Sequence, residues 1–209
     1  MDLQILYEDK NLIVVIKPAG VSSQESHDFN PDMPSLIAKH TGVNPYVVHR
    51  LDQMTSGVMV YALDKATASA LKPESKIYHA VLEGIPKDKK GTYSDFLVKD
   101  AAANISRVCD AKTKGAKDAK LNYKVIGNKF VDGHQRSKVE VELLTGRHHQ
   151  IRAQFGSRGT PIVGDSKYGY KGENKPLALA AVRLSFVHPK TKKVMTFGYE
   201  WKSEGEYLV

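Results

Sequence analysis

The sequence predicts an α+β fold in which strands outnumber helices. Short alternating or continuous apolar segments recur along its 209 residues, only three helices are signalled, and no repeat or low-complexity tract interrupts them. The length suits one large domain or two small ones. No linker argues for two, so a single domain over residues 1–209 is expected.

Ile5-Leu6-Tyr7 and Leu12 to Ile16 read as two strands joined by the turn Glu8-Asp9-Lys10-Asn11, with Lys17-Pro18-Ala19-Gly20 stopping the second. Pro34 suits the first turn of a helix through Leu36, Ile37 and His40 that Gly42 ends. His49-Arg50-Leu51-Asp52 and the loop formers Gln53 to Gly57 then lead into the apolar strand Val58 to Leu63. Asp64 can cap a helix from Lys65 to Leu71, closed by Pro73. Lys76 to Leu82 alternates, with Ile77, His79 and Val81 on one face and Tyr78, Ala80 and Leu82 on the other.

Tyr93 to Val98 and the Leu121, Tyr123, Val125 alternation predict strands separated by a lysine-rich loop. Residues 110–138 carry eight lysines and arginines against three aspartates, a local excess of +5. That composition suits a phosphate-tracking arm, or simply a solvated loop. Val139, Val141 and Leu143 give another strand, and Thr145-Gly146 is expected to cap a helix from Arg147 to Ser157 on which His148 and Arg152 share a face. Leu177 to Val187 and Val194 to Tyr199 close the chain as two strands.

The formal charge is +8, with a pI near 9.4, which favours an anionic partner, nucleic acid first. No apolar run approaches the roughly 18 to 20 residues of a spanning helix, and Met1-Asp2-Leu3-Gln4 lacks the basic start of a signal peptide. The single cysteine, Cys109, allows no internal disulfide, and a reducing, cytoplasmic setting is expected. His148-His149 with His134 could suggest a metal, but neighbouring residues on a helix point to different sides, so no metal site is expected. Gly156, Gly159 and Gly164 fit no phosphate-loop spacing, and no G-x-S-x-G elbow is present.

Spacing alone leaves Asp52 open, as a turn residue or as a reactive acid held on a loop by a buried strand. The motifs together resemble the RluA-type pseudouridine synthases. The likeness rests on Tyr7-Glu8-Asp9 through Lys17-Pro18-Ala19-Gly20, on His49-Arg50-Leu51-Asp52 with Thr55-Ser56-Gly57, on Lys76-Ile77-Tyr78 with Gly84, on Leu144 to Arg152, and on Gly164-Asp165 with Tyr168-Gly169. It implies a mixed, mainly antiparallel central sheet flanked by helices, with a central catalytic cleft. It further implies isomerisation of a uridine in RNA to pseudouridine, with no cofactor and no metal.

By that resemblance Asp52 is the catalytic residue, Arg152 pairs with its carboxylate, and Tyr78 stacks on the extruded uracil. Arg50 would enter the gap that the flipped base leaves, and Leu179 would line the floor beneath it. Lys17, His49, Arg147, His149 and Gln150 are expected to contact RNA or to scaffold the site. The expected partner is a structured stem-loop of tRNA or rRNA, with no membrane, and the chain is expected to act as a monomer.

Some residues depart from the family pattern. Pro73-Glu74-Ser75 shortens the helix after Asp64, and Ala180 stands where a histidine is common. The first strand begins near residue 5, which suggests a catalytic domain without an N-terminal S4-like module. Two other functions fit part of the pattern: a catalytically silent RNA-binding or RNA-folding protein, and a nucleoside or glycoside hydrolase. The second would need a further carboxylate that no motif supplies.

Overall fold

The computed structural model describes residues 2–26, 31–131 and 133–201. In chain order its elements are β1 (Gln4–Glu8), β2 (Leu12–Lys17), α1 (Met33–Thr41), β3 (Tyr46–Val47), β4 (Ser56–Ala62), α2 (Lys65–Ala70), β5 (Pro73–Glu83), β6 (Lys90–Asp100), β7 (Ile105–Cys109), β8 (Lys117–Val131), β9 (His134–Leu143), α3 (Gln150–Gly156), β10 (Leu179–Val187) and β11 (Val194–Gly198). A 3-10 turn covers Ser166–Tyr168. The described residues gather into two compact units, 2–76 with 180–201, and 77–179. The single-domain expectation extended over residues that include 202–209, which lie outside the described residues.

In the first unit the strands run β1-β2-β4-β10, with β3 added to β4 and β11 to β10. All these pairings are antiparallel except β4 with β10, which is parallel through Ser56 and Gly57 opposite Ala180 and Ala181. Every residue of β2 is buried, as the unbroken run Leu12 to Ile16 requires of a central strand, whereas β1 alternates as an edge should. Gly57, at φ +131°, sits so close to Ala181 that a Cβ there would collide with its backbone. The strand that follows Asp52 can therefore approach β10 only through glycine.

Both short helices of this unit are capped, the second by the Asp64 its sequence signals and the first by Asp32, which sequence reading missed. The Asp32 side chain accepts from Ser35 N at 2.7 Å, Pro34 stands in the first turn, and Gly42 closes the end in the left-handed conformation. Asp64 accepts from Thr67 N at 2.8 Å. The β1–β2 turn is locked from a distance in sequence. The Asp9 carboxylate accepts from Asn11 N, Leu12 N and Tyr7 Oη, and His188 Nε2 lies 2.9 Å from its Oδ2. The other ring nitrogen of His188 accepts from the backbone of Lys190 and Thr191, which leaves Nε2 as the donor to Asp9.

In the second unit the order is β5-β9-β8-β6-β7, all antiparallel. Here the lysine-rich loop is corrected. Residues 117–143 are mostly the long β8–β9 hairpin, with a bulge between Val125 and Gly127, and β7 precedes it unpredicted. The positions that point inward, Ala119, Leu121 and Tyr123, are buried, while Lys120 and Lys124 alternate with them on the exposed side. Glu140 stands opposite Lys124, and Glu142 accepts from Asn122, so the local positive excess is diluted by acids from the partner strand. The rings of Tyr93, Tyr123 and Phe155 meet at centroid distances of 4.6 to 5.6 Å and dock α3 onto this sheet.

Candidate active site

The segment His49-Arg50-Leu51-Asp52 splits by alternation. His49 turns inward, and its Nε2 accepts the Val60 N–H at 3.1 Å, continuing the pairing that β3 begins along β4. Leu51 is buried, Arg50 is exposed and donates to Gln24 Oε1 at 3.0 Å, and Asp52 is half-buried. Burial, reinforced by the Lys76 charge, pulls the His49 imidazole down to about 3, so it is neutral and carries its proton on Nδ1.

The loop bearing Asp52 is held through its backbone carbonyls. Leu51 O accepts from Ser23 Oγ at 2.9 Å, Asp52 O from Thr55 N at 3.0 Å, and Gln53 O from both Gly20 N and Lys17 Nζ. Lys17 itself is fully buried at the end of β2. Its ammonium donates to the carbonyls of Pro18, Val21 and Gln53 at 2.8 to 2.9 Å, which uses all three of its protons. Burial draws this lysine down to about 7, and the Asp52 charge pushes the other way. Lys17 and His49 thus have the geometry of scaffold rather than of surfaces that meet RNA.

In the second unit the arginine motif differs from its expected form. The helix starts at Gln150, not Arg147, because His149 at φ +52° breaks the backbone before it. Thr145 does not cap it with its own oxygen. Instead Gln150 Oε1 accepts from Arg147 N and Thr145 Oγ1, and Gln150 Nε2 donates to Lys120 O. Gln150 is buried and scaffolds this entry. Arg147 forks onto Asp118, with Nε to the carbonyl at 2.7 Å and Nη2 to Oδ1 at 2.8 Å.

His148 and His149 lie outside the helix, so the expectations that they point apart and that His148 shares a helical face with Arg152 are both corrected. Their rings stack at 3.8 Å with 20° between planes. No cluster of three potential metal-ligating side chains occurs among the described residues. His149 Nδ1 lies 2.9 Å from Tyr168 Oη. Burial first, then Arg152, His148, Lys167 and Lys99, pull its imidazole down to about 3.

Arg152 is nearly buried on α3 and forks onto the buried Asp165, Nε to Oδ2 at 2.7 Å and Nη2 to Oδ1 at 2.8 Å. Its guanidinium carbon lies 5.0 Å from the centre of the Tyr168 ring. Asp165 and Tyr168 were visible in the sequence as motif residues with no role attached. Tyr78, opposite Val141 on β5, and Leu179, at the start of β10, are both buried. An ionised carboxylate on a rigid loop can attack a sugar or remove a proton from it, and a planar fork of donors suits an anionic partner.

Comparison with known proteins bears on what this chemistry serves. The sequence profile of the family described as RNA pseudouridylate synthase matches residues 11–157, more than half of the chain. An RNA pseudouridine synthase of Bacillus subtilis, YhcT, described as uncharacterized, is 34% identical over 93% of this chain and 67% of its own length. The tRNA pseudouridine synthase C of Vibrio vulnificus is 32% identical over 91% of this chain and 87% of its own length. The human RNA pseudouridylate synthase domain containing 4 protein has the same fold, with a TM-score of 0.78 at 22% identity over 98% of this chain and 92% of that one. Among the described residues no helix is long and apolar enough to cross a membrane. The chain is an isomerase of the RNA pseudouridylate synthase family, and RNA is its substrate class.

Proposed function

We propose that this chain converts one specific uridine of a tRNA or rRNA stem-loop to pseudouridine, with Asp52 as the catalytic residue. The observation that carries the reading is the clamp on the Asp52 loop. A buried ammonium, a hydroxyl and two backbone N–H groups hold its carbonyls, so the carboxylate is presented from a fixed backbone.

In the reaction the bond from N1 to C1′ breaks, the uracil turns, and C5 bonds to C1′, while the C5 hydrogen is replaced by a proton gained at N1. No atom is lost and no cofactor is consumed. Asp52 serves this as nucleophile toward C1′ or as base toward a sugar proton, and both routes need the ionised carboxylate. Arg152, as its ionic partner, favours that form.

The uridine must leave the RNA fold before C1′ is reachable. Tyr78 supplies the stacking face for it, Arg50 fills the gap it leaves, and Leu179 lies under the ring. Arg50 suits its part by being exposed beside an anchored Leu51. Arg147 and His149 border the same arginine motif and shape its approach. The reading takes the chain to act as one catalytic domain and a monomer, in the cytoplasm, on RNA recognised by shape.

Pseudouridine mapping of total RNA from cells with and without this chain tests the proposal and identifies the uridine. One site or a small set should disappear with the gene and return with the wild-type chain, but not with Asp52→Asn. Unchanged maps would overturn it.

A further inference from the structure

Arg152 owes its orientation to a residue beyond the stretch matched by the family profile, which ends at residue 157. Asp165 is 2% exposed and accepts from both Nε and Nη2 of Arg152. Its own backbone is fixed on both sides. Asp165 N donates to Ile162 O at 3.0 Å, and its carbonyl accepts from Tyr168 N and Tyr170 N, each at 3.1 Å. Gly164, at φ +81°, makes the turn that delivers the carboxylate, and a Cβ there would collide with the backbone of Pro176.

The guanidinium is boxed by other groups as well. The Tyr168 ring lies beneath it, held by Ser106 N donating to Tyr168 Oη at 2.7 Å and by His149 Nδ1 at 2.9 Å from the same oxygen. Arg152 is therefore set by an ion pair along one edge and an aromatic face below, next to a neutral imidazole. A guanidinium gripped in two places cannot swivel about its terminal bonds as one on a flexible stem does.

We propose that Asp165 is the positioning residue for Arg152: its carboxylate grips the Nε–Nη2 edge and fixes the plane and heading with which Arg152 serves the ionised Asp52. The inference rests on the Asp52 reading above. Asp165 does no chemistry itself, and a position error of about 1 Å in its partner is enough to cost about a hundredfold in rate.

The position and the charge of Asp165 predict opposite results, which makes the idea testable. As a mere negative neighbour, Asp165 would oppose ionisation of Asp52, and its neutralisation would move the acid limb of the rate profile to lower pH. As the residue that aims Arg152, its loss would weaken the support for the Asp52 carboxylate and move that limb to higher pH.

The experiment measures single-turnover pseudouridine formation from pH 5 to 9 on a synthetic stem-loop carrying the mapped uridine. It compares the wild-type chain with Asp165→Asn, Asp165→Glu and Asp52→Asn, with thermal melts and RNA binding recorded for each. Asp165→Asn should be slower by about a hundredfold, with its acid limb raised and RNA binding within about twofold of wild type. A rate within about threefold of wild type, or an acid limb moved down, overturns the inference. Should Asp165→Asn not fold, Asp165→Glu decides, because it keeps the charge and displaces it by one methylene. It should lose about tenfold or more in rate, and wild-type turnover would refute the positioning role. Turnover by Asp52→Asn would instead sink the parent reading.

Discussion

The Asp52 loop and the entrance to α3 are both rigid, yet they are built in opposite ways. The first is held by its main chain, with the carbonyls of residues 51, 52 and 53 each accepting a hydrogen bond and one buried ammonium gathering three carbonyls. The second is held by side chains, through Asp165, Tyr168, His149 and Gln150. A main-chain clamp leaves the identity of the exposed side chains open, so it can present a reactive carboxylate without consuming it. A side-chain network fixes the orientation of one group, the Arg152 guanidinium, and each member is exposed to substitution.

The largest effect expected from breaking this contrast comes from Lys17→Met. The substitution keeps the volume but takes the ammonium from the carbonyls of Pro18 and Val21, while Gln53 O keeps the Gly20 N–H, at roughly 1 to 3 kcal/mol for each group left buried. Denaturant unfolding should show a loss of about 2 kcal/mol or more, and a variant as stable as wild type would remove Lys17 from the clamp.

Acid should weaken both regions, through His49 in one and His149 in the other. Each is held at about 3 in the fold, against an ordinary value of 6.5. Below pH 6.5 the unfolded chain takes up the proton first, so stability is full above that value and falls as pH drops toward 3. The slope is at most about 1.4 kcal/mol per pH unit for each histidine. Urea midpoints measured from pH 7 to 4 should show it, and His149→Asn should remove about half. A flat response would mean that neither ring is held neutral by its surroundings.

Tyr168→Phe keeps the ring under Arg152 but removes the oxygen that meets Ser106 N and His149 Nδ1. It should cost about 1 to 2 kcal/mol, because the buried partners are left unsatisfied. Single-turnover rates should fall less than for Asp165→Asn, and the reverse order would shift the aiming of Arg152 from Asp165 to Tyr168. The smallest effect belongs to Thr55→Val. Thr55 Oγ1 is buried without a hydrogen-bond partner in the main-chain-held loop, so its replacement by a methyl should be neutral or stabilise by up to about 1 kcal/mol. A clear loss in the thermal melt would show that this hydroxyl has a role in the loop.

Legibility in the sequence followed the range of the interactions. Pro34, Gly42 and Asp64 announce ends of α1 and α2 because such signals act within four residues, and β1 and β2 follow from apolar pattern alone. Of the β8–β9 hairpin the alternations Leu121 to Val125 and Val139 to Leu143 were legible, but its full length was not, because its exposed positions are lysines and its bulge breaks the alternation, so strand and solvated loop share one composition. The start of α3 was displaced because Gln150, not Thr145, organises the turn, through a side chain reaching backward. The grip of His188 on Asp9 spans 179 positions, and nothing in either local pattern points to the other. Asp52, Tyr78 and Arg152 were marked by motif, but the bond from Arg152 to Asp165 depends on a glycine turn that spacing does not reveal.

The most direct test of the central claim is the pseudouridine yield of Asp52→Asn on the mapped stem-loop, with RNA affinity measured in parallel. Asparagine keeps the shape of the side chain and removes the ionised oxygen, so the predicted result is no detectable pseudouridine with affinity within about threefold of wild type. Wild-type yield from the folded variant would contradict the account.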